Sequence, residues 1–233
     1  MNAEPDGQRQ RVIAITGAGG ALGVAVSRRL ASEPGTALVL SDVSEESLAA
    51  TLAGLDEEGA AAPTATLIAD VLISNAGVLS PNGRIHNLQT ADWERAFRVN
   101  VLGAVNGIRS AVGVMRPQSS GSIILTASVS GLTAWSHAAP YCATKAAVIQ
   151  LAKVAAVEYA RDGIRVNSVC PGTFRSAIHD GLPDEALDAI AERHPLGLGT
   201  ARDLAGAYAY LASEESRWTT GAAIVVDGGY SAP

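Results

Sequence analysis

A short apolar run at residues 12–16 ends on Thr16-Gly17-Ala18-Gly19-Gly20-Ala21-Leu22-Gly23, and an amphipathic stretch at 21–32 follows without a break. Few folds accommodate that order. The β-branched run predicts a strand, the glycines a sharp turn, and the stretch behind them a helix closed by Glu33-Pro34-Gly35. Glycines let the backbone turn tightly and approach a pyrophosphate, which then sits at the positive end of the helix. By itself such a loop can equally be a turn and nothing more.

The rest of the chain repeats the alternation. Strands are predicted at 37–41, around Ile73, and at 122–126, 165–169 and 223–226. Helices are predicted at 45–55 behind an N-cap at Ser44, at 91–115, at 140–161 and at 201–212, the last with a capping box from Thr200 to Asp203. Strand and helix in alternation imply βαβ units: a doubly wound, Rossmann-like α/β fold with one parallel sheet and helices on both faces. Without a repeat or linker, residues 1–233 read as a single domain. The composition agrees, with 48% apolar residues and only 4% aromatic, which suits small-residue helices on a Val/Ile-rich sheet.

A net charge of −6 argues against a nucleic-acid partner. No run of eighteen apolar residues is present, so no membrane span is expected. The polar opening stretch lacks the apolar core of a signal peptide. Cys142 and Cys170 have no metal-ligand spacing, no His/Asp/Glu cluster points to a metal, and reduced thiols in the cytoplasm are the simplest reading.

Asp42 sharpens the meaning of the glycine loop. It ends the second strand about 20 residues on, where a carboxylate can bind both ribose hydroxyls of NAD. The same charge would repel a 2′-phosphate, and no Arg or Lys stands beside it, so NAD is expected over NADP. Tyr141 and Lys145 stand four apart on one predicted helix, so their side chains share a face. A free tyrosine, with a pKa near 10, is a poor base at neutral pH. A nearby ammonium, helped by a positive nicotinamide, stabilises the phenolate and lowers that pKa. Ser128, closing the preceding strand, is placed to hold a substrate oxygen.

Together these residues resemble the short-chain dehydrogenase/reductase family over nearly the whole chain. Its glycine motif matches Thr16 to Gly23, with Ala21 in place of a glycine. Its Asn-Asn-Ala-Gly motif matches Ser74-Asn75-Ala76-Gly77, and its tetrad matches Asn100, Ser128, Tyr141 and Lys145. The resemblance implies that Asn100 bends its helix and holds a water relaying protons to Lys145, which also binds the nicotinamide ribose. It implies cofactor contacts at Gly17, Gly19, Gly20, Leu22, Gly23, Asp42, Asn75, Ala76, Gly77, Pro171, Gly172, Thr173 and Ser176. It also implies adenine contacts at Asp70 and Val71. The closing Val226-Asp227-Gly228-Gly229 resembles the family's terminal strand, which implies a homo-oligomer, a tetramer or a dimer.

One departure is serious. Residues 64–70 resemble the family's third strand and 70–75 its fourth, so the two overlap on Asp70-Val71. Joining parallel strands takes a crossover of about a dozen residues or more. Either the chain has lost roughly two dozen residues between two Asp-Val repeats, or the sequence as written skips them. If the loss is real, the third strand is expected to leave the sheet, with 60–69 becoming a makeshift connection. Apolar sheet surface would be bared where the helix is missing.

Substrate choice is expected in a lid at 173–198, which carries Phe174, Ile178, His179, Leu182 and His194 around a short helix from Pro183. Its apolar side chains imply a mostly apolar small-molecule substrate. Trp135 and His137 are further candidates, although each histidine can equally be a locally bonded surface residue. Trp93 and Trp218 read as packing anchors. The expected reaction is hydride transfer between NAD(H) and a secondary alcohol or ketone. A 3-oxoacyl thioester reductase and a non-catalytic dinucleotide-binding regulatory protein remain as alternatives.

Overall fold

The computed structural model describes residues 10–57, 70–176 and 184–232. Six strands form one parallel sheet: β1 (Arg11–Thr16), β2 (Thr36–Ser41), β3 (Val71–Ser74), β4 (Gly121–Thr126), β5 (Ile164–Pro171) and β6 (Ala223–Val226). Their spatial order is β2-β1-β3-β4-β5-β6. The chain runs outward from β1 to β2, then returns to the other side of β1 for β3, which makes the sheet doubly wound. Ile13, Ile73, Ile123, Ile124 and Leu125 are completely or almost completely shielded from solvent. Full burial of such side chains stabilises the fold by about 1.5–3 kcal/mol each, which is why the central strands read as continuous apolar runs.

Helices cover both faces. On one side α1 (Ala21–Ala31), α2 (Glu45–Glu57) and α7 (Ala201–Ala212) pack Leu22, Val26, Leu30, Leu55 and Tyr208 against Ile13, Ile15 and Leu38. On the other, α4 (Gly103–Gln118) and α5 (Ala139–Tyr159) pack Ile108, Met115, Val148 and Ala152 against Leu72, Ile123 and Val166. The sequence start signals hold. Ser44 accepts from the Ser47 N–H at 3.1 Å, Pro140 sits in the first turn of α5, and Thr200 and Asp203 form a capping box. The remaining helices are α3 (Thr90–Ala96) and α6 (Asp184–Ala191).

Two expectations change. The single helix predicted over 91–115 is instead α3, a π-helical segment Phe97–Leu102, and α4. Trp218 is 98% exposed among the described residues, on a turn at the amino-terminal end of the sheet, and is not the packing anchor expected.

At the junction, Asp70 prolongs β3 backward. Its N–H donates to the Val12 carbonyl at 2.8 Å, and its carboxylate accepts from the Val12 N–H at 2.7 Å. The third strand and makeshift connection expected over 60–69 lie outside the described residues. Among the described residues the sheet ends at β2. On the α4/α5 side, α4 lies over β3–β5 and α5 over β4–β5, while Ala14 of β1 and Val39 of β2 are only half-buried. No helix among the described residues is long and apolar enough to cross a membrane.

Candidate active site

The carboxyl ends of β1 and β3 meet where the winding reverses, and loops diverging there leave a crevice. Thr16, last in β1, pairs with Ser74, last in β3. Its hydroxyl accepts from the Asn75 and Ala76 N–H groups at 3.1 and 3.2 Å, while the Asn75 amide donates to the Gly17 carbonyl at 3.1 Å. Two loops are thereby locked together. Gly17 has φ +67°, and a β-carbon there would stand 2.9 Å from the Ala76 Cα. At Gly23 a β-carbon would meet the Gly17 carbonyl oxygen at 2.1 Å, so no side chain fits where α1 crosses its own turn.

The start of α1 fits a dinucleotide pyrophosphate. Gly20 caps it without a side chain and its first turn holds no acid, so the N–H groups at its positive end are open to an anion. At the end of β2 the Asp42 carboxylate accepts from the Gly19 N–H at 2.9 Å and the Ser44 N–H at 3.0 Å. It therefore joins the glycine loop to the start of α2 at the edge of the crevice.

The four predicted tetrad residues come together at the floor of one cavity or directly behind it. Ser128 follows β4 and is buried; Tyr141 and Lys145 project from α5. Lys145 Nζ lies 5.6 Å from the Tyr141 ring centroid and donates to the Thr126 carbonyl at 2.8 Å. Burial lowers its pKa to about 8. Burial raises the Tyr141 phenol, and a hydrogen bond with Ser128 works in the opposite direction. Desolvation is the larger of these effects in the protein alone, and the lowering expected from the sequence depends also on the charge of a bound nicotinamide.

Asn100 is buried in the π-helical segment. Its side chain accepts from the Val78 N–H at 2.8 Å and donates to the Val78 carbonyl and to Thr144 Oγ1, each at 3.0 Å. A β-carbon on Gly77 would lie 3.3 Å from Asn100 Oδ1 and 3.4 Å from Lys145 Nζ, so Gly77 stands against both groups. Thr144 was not foreseen, although it stands three residues after Tyr141 on the same helical face.

The cavity measures about 530 Å³. Gly20, Leu22, Asn75 and Gly77 line its end at the glycine loop. Val78, Leu79, Trp135, Phe174, Ile190 and Tyr230 supply apolar wall. Pro171, Gly172, Thr173 and Ser176 border it after β5. His194, read from sequence only as a lid residue, is buried; its Nε2 accepts from the Thr173 N–H at 3.1 Å while Nδ1 meets the Ile190 carbonyl at 2.9 Å. It ties the turn after β5 to α6. Tyr230, which the sequence did not single out, stacks on it at 4.8 Å.

Some candidates fall elsewhere. Asp70 and Val71 start β3, at the opposite end of the sheet from the crevice, and Val71 is buried between β1 and β4. The parallel register forces this, since β3 must advance from Val71 to Ser74 before it reaches the crevice. They are therefore not placed to contact adenine. His137 is exposed and does not border the cavity. Ile178, His179 and Leu182 lie outside the described residues.

A family model described as enoyl-(acyl carrier protein) reductase matches residues 13–231. The chain belongs to the short-chain dehydrogenase/reductase family. This short-chain dehydrogenase/reductase is 36% identical over 243 positions to the cis-4-hydroxycyclohexanecarboxylate dehydrogenase of Sinomonas cyclohexanicum, covering 96% of this chain and 97% of that one. It is 35% identical to the meso-2,3-butanediol dehydrogenase of Serratia marcescens, with 95% of each chain covered. The crystal structure of levodione reductase superposes with a TM-score of 0.88 at 29% identity, covering 97% of this chain and 99% of that one. Two further structures, each with a TM-score of 0.87 and 27% identity, are ElxO with NADP bound (96% and 100% covered) and NAD+-bound xylitol dehydrogenase (95% and 99%).

Proposed function

We propose that this oxidoreductase transfers a hydride between NAD(H) and a mostly apolar secondary alcohol or its ketone, with Tyr141 as the proton-transferring group. The observation carrying this reading is the convergence of Ser128, Tyr141 and Lys145 on one cavity whose other end is the glycine loop. The nicotinamide would supply or accept the hydride.

The chain's own groups divide the remaining work. Ser128 holds the substrate oxygen, and Tyr141 takes the hydroxyl proton during oxidation or returns it during reduction. The Lys145 ammonium stabilises the phenolate, and Asn100 fixes the segment from Val78 behind it. Gly17, Gly19, Gly20, Leu22 and Gly23 would cradle the pyrophosphate, while Asn75, Ala76, Gly77, Pro171, Gly172, Thr173 and Ser176 would border the nucleoside and carboxamide. Asp42 favours NAD, because its charge opposes a 2′-phosphate and the following Val43-Ser44-Glu45-Glu46 brings no cation. The alcohols and ketones named for the relatives are small, which fits the cavity.

The test is NADH formation by the purified protein with a panel of short and alicyclic secondary alcohols. Tyr141→Phe should lower kcat by roughly 10²–10⁴-fold while NAD binding, read by titration, stays nearly unchanged. Absence of turnover with both NAD and NADP across the panel would overturn the enzyme reading.

A further inference from the structure

The far wall of the cavity is an aromatic ladder leading away from the catalytic phenol. The Trp135 ring lies 6.3 Å from that of Tyr141, the Tyr230 ring 6.1 Å from Trp135, and the Arg193 guanidinium carbon 5.8 Å from the Tyr230 ring centroid. Each of these groups borders the same cavity. Arg193 is therefore linked to Tyr141 through two ring-to-ring contacts and one cation–π contact, along the wall that carries Trp135 and Tyr230.

The charge around the cavity is one-sided. In a chain of net charge −6, no described acidic side chain borders it, whereas Lys145 and Arg193 do. Lys145 is held by the Thr126 carbonyl. Arg193 has only the Tyr230 ring face among the described contacts, a placement that orients a guanidinium without neutralising it. Asp227, the carboxylate behind His194, is occupied by the Gly229 N–H at 2.9 Å and by Ser231. An apolar slot with a hydroxyl-binding floor and, at its rim, a guanidinium with no carboxylate partner among the described residues matches a substrate that is amphipathic in the same order.

We infer that the preferred substrate is a secondary alcohol, or its ketone, bearing a carboxylate at the end remote from the carbinol, and that Arg193 binds that carboxylate. This rests on the dehydrogenase reading of the site. Arg193 is exposed, so its attraction is screened until a substrate covers it.

The experiment compares a series of (ω−1)-hydroxy acids of increasing chain length with the 2-alkanols of the same length, using wild type and Arg193→Met. For the wild type, kcat/KM should favour the acids by about tenfold at one optimal length, and added salt should erode the preference. In Arg193→Met the preference should vanish through KM, with the 2-alkanols and the KM for NAD unchanged. Equal use of acids and alkanols, or a raised KM for NAD in the variant, overturns the proposal, the latter by giving the guanidinium to the cofactor. Binding of the matching alkanoates and alkanamides, followed by indole fluorescence, keeps the two readings separable. If no alcohol turns over, carboxylate-selective binding lost in Arg193→Met still supports the anion site, and unselective binding overturns it.

Discussion

Lys145 is the residue whose surroundings make the sharpest statement. Its ammonium is buried, with one carbonyl as partner, and burial lowers its pKa to about 8. An unfolded lysine titrates near 10.4, so between these values the unfolded chain binds more protons than the folded one. Unfolding free energy should therefore rise with pH across that window, by on the order of 3 kcal/mol. Urea unfolding at the two ends of the window should show this gain in wild type and its loss in Lys145→Met. Asp42 permits a separate test. Asp42→Asn keeps oxygen to accept from Gly19 and Ser44 but removes the charge. The preference for NAD over NADP should then fall about tenfold, measured as the ratio of the two dissociation constants; an unchanged ratio would place the discrimination elsewhere.

Among the elements, the broken helix before β4 shows most clearly where local pattern gives way to tertiary bonding. Periodicity alone predicts one helix over 91–115. The chain instead inserts a π turn, with the Gly103 N–H donating to the Arg98 carbonyl five residues back. That extra residue per turn directs Asn100 inward to both backbone groups of Val78 and to Thr144. Asn100→Ala would leave the Val78 N–H and carbonyl without these partners, at a cost of about 1–3 kcal/mol. The expected result is a lower urea midpoint at an unchanged slope, together with loss of activity. A variant as stable as wild type would show that water satisfies those groups. The resemblance had assigned Asn100 a bend, but the partners that cause it lie 22 and 44 residues away and leave no local signal.

For the whole molecule, the overlap of two strand motifs at Asp70-Val71 leaves no crossover helix beyond β2 among the described residues. Ala14 and Val39 stay half-buried on the side where α4 and α5 serve only β3 to β5. Inserting a relative's strand-to-helix segment between Asp70 and Val71 should cover that surface, raise Tm by several degrees and reduce binding of an apolar dye. No change in either would mean that the face is already shielded. The doubly wound order was legible in the sequence because strands and helices there differ in apolar period and are separated by Gly, Pro and capping residues. The glycine loop, Asp42 and the Tyr141–Lys145 pair were legible because backbone approach and helical spacing are local properties. Asp70 could not be placed in this way: one Asp-Val served two strand motifs, and only pairing with Val12 and Ser122 decided which end of the sheet it occupies. Nor could Arg193, His194 and Tyr230 be assigned to one wall. Residues from α6's exit and the carboxyl terminus meet Trp135 only after the sheet is assembled, and contact across such sequence distances is a property of packing alone.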